Sequence, residues 1–286
     1  FERCQTEGFF LLQAQVFSGL GEGYRFLGEF NTALEYHSRA LDINKQIGNE
    51  AEEGINLGNI ADVHSVQGNY KQALESYTKA LHITQDIGNK RAEAISLESI
   101  AGVYNTLGEY EESLHYHTLA LNITQEIGDR NTEGFVFGGM AILYSDQALF
   151  EQALEYYTKA LYIHREIGDK RQEGVTLGNM ASVYQEQGEN EKALDHHTES
   201  LDISREIGDK RGEGITLGNM AIIYKNQDDY EKALDHHTRA LEIAREIGGK
   251  RQEGTTLGNI GDLYYKLNEF VRAQAYLEEA IQVCEE

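Results

Sequence analysis

Displaced by 40 residues, the chain lies on itself without insertion: Leu57, Leu97, Phe137, Leu177, Leu217 and Leu257 superimpose, with Phe17 as a weaker first member. A unit of that length is one supersecondary element that cannot bury its apolar face alone, so neighbours must stack and share a core. Inside a unit the apolar and small positions follow helical spacing twice, as in Leu217, Met220, Ala221 and Tyr224, then Ala233, His237, Ala240 and Leu241. Both runs obey the i, i+3, i+4, i+7 rule, and short polar turns such as "SVQGNY" separate them, so each unit is expected to be two antiparallel helices.

The helix ends are written in the same register. Each second helix runs through an isoleucine, Ile47 through Ile247, into a glycine suited to the left-handed C-cap position. Asn49, Asn89, Asp129, Asp169 or Asp209 follows as N-cap of the next unit, with Gln172 placed for a capping box after Asp169, and Gly249 breaks the pattern once. Seven units result, at about 10–47, 50–87, 90–127, 130–167, 170–207, 210–247 and 250–286, forming one domain over 1–286.

Composition removes several function classes. A formal charge of −23 opposes binding to phosphate backbones or anionic membrane surfaces, so neither nucleic acid nor membrane is an expected partner. No run approaches the length of a membrane span, and "FFLLQAQVF" lacks a basic flank and a cleavage site. Cys4 and Cys284 stand at opposite ends without disulfide or metal spacing, which fits a reducing, cytoplasmic setting.

The pattern Leu217-x2-Met220-Ala221-x2-Tyr224, then Ala233-x3-His237-x2-Ala240, resembles the tetratricopeptide repeat, and the likeness recurs in all seven units. It departs from the family in its 40-residue period and in lacking the proline that ends the second helix. "IGDKRxEG" between units is similar to Pins-type polarity adaptors and to repeat arrays of bacterial signalling proteins. The resemblance implies an all-α, right-handed superhelical solenoid that binds peptide or protein, usually along a concave surface lined by first helices.

On the helical wheel Leu217, Met220, Ala221 and Tyr224 mark the core face, while Ile215, Asn219, Ile222 and Asn226 fall near the opposite side. With first helices lining the concave side, as the resemblance implies, that second stripe faces the groove. It places Asn59, Asn179, Asn219 and Asn259 in an interrupted amide ladder, able to pair with the peptide groups of an extended ligand. In related arrays an asparagine at this position touches bound peptide; the alternative is that these amides cap local backbone or keep the helices in register. Apolar anchors are expected from Ile95, Phe135, Ile142, Val175, Ile215 and Ile222, although the positions of Ile55, Val175 and Ile215 suit packing between first helices equally well. The stripe's ionisable groups are Glu22, Asp62, Asp146, Glu186 and Asp262 against Lys266, so the expected ligand is apolar with some Lys or Arg. Pins-type arrays instead carry arginines in the first turn that suit acidic tails.

No enzyme constellation emerges: there is no nucleophile elbow, phosphate loop or zinc-helix motif, and no cofactor is called for. His37, His117, His197 and His237 take the position of Tyr77 and Tyr157 and read as core aromatics rather than metal ligands. Lys170-Arg171, Lys210-Arg211 and Lys250-Arg251, beside Glu173, Glu213 and Glu253, read as solvated charge or weak inter-repeat pairs. Gly214 and Gly218, with their counterparts in four other units, form a small stripe between core and groove that lets a helix or a ligand approach; Ala94 and Glu98 replace the pair in the third unit. Two functions remain open: a peptide-binding adaptor, and a regulatory or assembly array that clasps its own effector domain or self-associates end to end.

Overall fold

In the computed structural model, which describes residues 2–285 and side chains from residue 8 onward, every regular element is a helix. The helices fall into two compact units. The first, Phe1–Gln147, holds α1 (Glu2–Phe26), α2 (Phe30–Ile47), α3 (Glu50–Val66), α4 (Tyr70–Asp86), α5 (Lys90–Thr106), α6 (Tyr110–Ile127) and α7 (Arg130–Asp146). The second, Ala148–Glu286, holds α8 (Phe150–Ile167), α9 (Lys170–Glu186), α10 (Asn190–Glu206), α11 (Lys210–Asn226), α12 (Tyr230–Glu246), α13 (Lys250–Lys266) and α14 (Phe270–Glu285). Within each unit every helix packs on the next in sequence, and first helices also touch: α1 meets α3, α5 meets α7, and α9 meets α11.

The glycine stops work as their spacing predicts. Gly48 sits at φ +69°, and the Asn49 N–H bonds back to the Asn44 carbonyl at 2.9 Å, closing the last turn of α2. The side chains of Asn89, Asp129, Asp169 and Asp209 then accept the N–H three residues on, at 3.0–3.2 Å. Gln172 supplies that backbone N–H to Asp169, the first half of the anticipated capping box. Gly249 caps α13 without a side-chain bond. The turns inside the repeats need a left-handed residue as well, and Ala148, Asp228 and Asn268 adopt it at φ +56° to +62° where sister repeats carry glycine.

The core repeats with the sequence. Leu201 from α10, Leu217 and Met220 from α11, and Ala240 and Ile243 from α12 form one cluster, with Tyr224 packed against it. Wheel geometry alone misses Ile223, which is fully buried: a first helix packs on the second helices both before and after it, so its apolar arc is wider than one face. The four histidines in the aromatic position are at most 1% exposed, buried like Tyr77 and Tyr157. Burial holds His117, His197 and His237 down to about 4, and both ring nitrogens of His197 and His237 lack a partner.

A polar clamp closes each joint. Glu93, Glu133, Glu173, Glu213 and Glu253 are buried, and each accepts a hydrogen bond from the residue eight positions earlier, on the preceding second helix. The donor is Gln85 or Gln125 at 3.1 Å in the first unit and Arg165, Arg205 or Arg245 at 2.8–2.9 Å in the second. The flanking lysines and Arg171 are exposed, as expected of solvated charge, whereas the glutamates beside them are not. At Glu173 burial would raise the carboxyl pKa, but hydrogen bonds from Arg165 and Lys170 prevail and hold it below the ordinary range; at Glu213 Arg205 and Lys210 overcome burial in the same way.

Candidate binding groove

The stripe opposite the core runs along the first helices. In the first unit it carries Ile55 and Asn59 on α3, Ile95 on α5, and Phe135 and Ile142 on α7. In the second it carries Val175 and Asn179 on α9, Ile215, Asn219 and Ile222 on α11, and Asn259 on α13. Ile55, Ile95, Phe135, Val175 and Ile215 are all 41–50% exposed and Ile142 is 43%, so these positions are open to solvent rather than consumed by helix packing. Ile222 is half-buried.

Asn59, Asn179, Asn219 and Asn259 are half-buried, and among the described residues their amides make no hydrogen bond to the chain. Other asparagines behave differently. Asn56 donates to the Glu52 carbonyl at 2.7 Å, and Asn105 donates to the Asp146 carboxylate at 2.6 Å. Asn56 and Asn105, off the ladder, spend their amides on the chain itself.

The glycine pair divides its labour between its members. A Cβ on Gly174 or Gly214 would stand 3.4 or 3.3 Å from the Ile203 or Ile243 methyl of the next helix, so the first glycine is where the second helix seats. A Cβ on Gly58, Gly138, Gly218 or Gly258 would meet nothing within 4 Å. The second glycine therefore borders open space, one residue before the ladder position. Between α9 and α11, over α10, that space is a cavity of about 220 Å³ lined by Gly178, Asn179, Ser200, Ile203, Ile215 and Asn219 among others. Ser200, which replaces the alanine of other repeats, donates to the Gly174 carbonyl at 2.8 Å in its floor.

The acidic members of the stripe are less free than their spacing implies. Asp262 pairs with Lys225 at 3.2 Å, Asp146 is engaged by Asn105, and Glu22 pairs with Arg25 at 2.8 Å. Asp62 accepts from the Tyr77 hydroxyl; burial raises its pKa, against the pull of that bond and of Arg25. Glu186 is exposed at the end of α9. Lys225, Tyr77 and Asn105 escape a sequence reading, because their partners lie on other helices, 15 to 41 residues away. Among the described residues no group of three His, Cys, Asp or Glu could hold a metal ion, and no helix is long and apolar enough to cross a membrane. Cys284 is a free, exposed thiol; the Cys4 side chain lies outside the described residues. What this surface offers chemically is amide donors and acceptors between apolar side chains.

Known proteins share this architecture. The chain is similar to BtubC from P. vanneervenii, with 19% identity over 76% of this chain and 91% of that one and a TM-score of 0.68. It is also similar to a signal transduction ATPase with numerous domains and a tetratricopeptide repeat sensor from Pyrococcus horikoshii, at 19% identity over 96% of this chain and a TM-score of 0.73. Of that ATPase it spans 41%. A third likeness is the Rap conjugation gene regulator of plasmid pLS20 in complex with the Phr* peptide, at 16% identity over 93% and 72% of the two chains and a TM-score of 0.65. No curated protein matches in sequence. The tetratricopeptide repeat profile matches residues 12–86, 91–166, 136–206 and 212–286, and the chain belongs to the tetratricopeptide repeat family.

Proposed function

We propose that the chain is a protein-interaction scaffold that holds an extended partner segment against its first helices. Catalysis has no part in it. Asn59, Asn179, Asn219 and Asn259 pair with the segment's peptide groups, and Ile95, Phe135, Ile142 and Ile222 take its apolar side chains. The observation that carries this reading is the unpaired state of four half-buried amides, two of which share the cavity between α9 and α11. Each of these amides keeps free donors and an acceptor, which a ligand's backbone can meet. The Rap regulator solved with the Phr* peptide has the same fold.

The test is fluorescence polarisation with labelled random dodecapeptide pools. If each lost amide pairing costs about 1 kcal/mol, Asn179→Ala with Asn219→Ala weakens binding roughly thirtyfold, while exposed Lys232→Ala leaves it unchanged. Equal binding by the folded double variant refutes the ladder. A second reading, a sensor array that clasps an effector domain of its own protein, draws support from the ATPase likeness, of which this chain spans 41%. Under it, an effector domain added in trans competes with the pools for the same asparagines.

A further inference from the structure

Glu98 is the one residue that breaks the second-glycine rule by adding charge. Five sister repeats have Gly58, Gly138, Gly178, Gly218 and Gly258 there, and all but Gly178, which faces the Ser200 hydroxyl at 3.7 Å, border open space. On α5 a carboxylate therefore projects where the other repeats leave room. It has no hydrogen bond or ion pair among the described residues. Its surroundings come from four other helices of the first unit, α3, α4, α6 and α7. Asp62 on α3 is bonded to Tyr77 on α4, and Arg25, the cation that bears on Asp62, is committed to Glu22. His117 on α6 is 1% exposed with Nδ1 unpartnered.

His117 is aimed at the same point as Glu98. A Cβ on Gly139 of α7 would lie 2.5 Å from its Cε1, 3.2 Å from its Nε2 and 3.3 Å from Glu98 Oε1. Gly139 occupies the ladder position, so the amide found elsewhere is missing and the carboxylate and imidazole edge replace it. His117 is held neutral by burial, at about 4, and Arg25, the cation that bears on Asp62, has its own carboxylate. One carboxylate remains uncompensated.

We propose that Glu98, with Asp62 and His117, receives one cationic side chain, a lysine ammonium or an arginine guanidinium, from the segment bound to the first unit. The assignment rests on the groove reading above and names the charge of its ligand. A half-buried, unpaired carboxylate beside a second one is costly until a cation with hydrogen-bond donors meets it. Burial first, and the Asp62 charge second, push Glu98 up to about 7, so cation binding also draws off its proton and strengthens from pH 6 to pH 8.

The experiment uses labelled dodecapeptide pools, random except for a fixed central lysine, arginine, norleucine or glutamate, against the full chain at low salt. The lysine and arginine pools bind about tenfold tighter than the norleucine pool, as a charged hydrogen bond at one site provides. Glu98→Gln and Glu98→Gly, the latter the residue of the sister repeats, erase that difference, whereas Glu111→Gln, an equal loss of charge on exposed α6, retains it. If all variants keep the same cation preference, or the glutamate pool binds best, the assignment is overturned while the groove reading stands. If no pool binds at all, both fall.

Discussion

Replacing Gly58, Gly138, Gly218 and Gly258 together by alanine separates what the fold needs from what the groove needs. Each glycine is inside a helix, where it costs roughly 0.8–1.0 kcal/mol relative to alanine. A methyl at any of the four meets nothing within 4 Å, so no packing penalty offsets the gain. The sites share no partner, and additivity gives about 3–4 kcal/mol for the quadruple variant. The paired control is Gly214→Ala with Gly254→Ala. There the new methyl stands 3.3 Å from Ile243 Cγ2 and 2.8 Å from Cys284 Sγ, so the helix gain is cancelled or reversed. Urea unfolding followed by far-ultraviolet circular dichroism reads both. The quadruple variant should unfold at higher urea and bind the dodecapeptide pools more weakly, because its methyls stand beside the ladder amides. A quadruple variant no more stable than the natural chain would refute the claim that these glycines border empty space. Greater stability with undiminished binding would show that the space is not used by ligand.

Three further outcomes follow from the geometry. Ala148 holds φ +56°, so Ala148→Gly should raise stability by about 1 kcal/mol, measured by the same urea titration. Glu213→Ala removes the buried acceptor of Arg205 and should cost about 1.5 kcal/mol at pH 7. Because the Glu213 pKa is depressed in the fold, that contribution is present above the unfolded value near 4.3 and lost as pH falls through the folded value. The deficit should therefore shrink in melts taken from pH 7 down to pH 3. His197 is held at about 4 against about 6.5 unfolded, so stability is full above pH 6.5 and drains away between 6.5 and 4. His197→Phe, which puts a ring that cannot ionise where sister repeats carry Tyr77 and Tyr157, should raise the melting temperature more at pH 5 than at pH 8; an equal shift at both would contradict the buried neutral imidazole.

Local rules are legible in the residues, and contacts across the stack are not. Gly48, Asn89 and Asp169 announce helix ends because capping depends on neighbours within five residues. Leu217, Met220 and Ala221 reveal a core face because periodicity reports it. Ile223 escapes, since its burial comes from a second helix on the far side. The acids of the groove stripe are visible as charges, but Lys225 against Asp262 and Asn105 against Asp146 meet across 37 and 41 residues, where the offset between helices decides who touches whom. Glu98 stands out in the sequence only as an exception to the glycine rule. Its isolation is a property of the four helices around it.

The joint clamps differ in kind along the chain: a neutral amide holds the buried glutamate at Gln85 and Gln125, a guanidinium at Arg165, Arg205 and Arg245. In a linear array the weakest neighbour term decides where local opening starts. The amide clamp itself carries no formal charge on the donor and depends less on ionic strength, whereas the half-exposed guanidinium clamps soften as salt rises. Raising salt should therefore shift fraying toward the arginine joints, so that ionic conditions choose which stretch of backbone exchanges its amide hydrogens first.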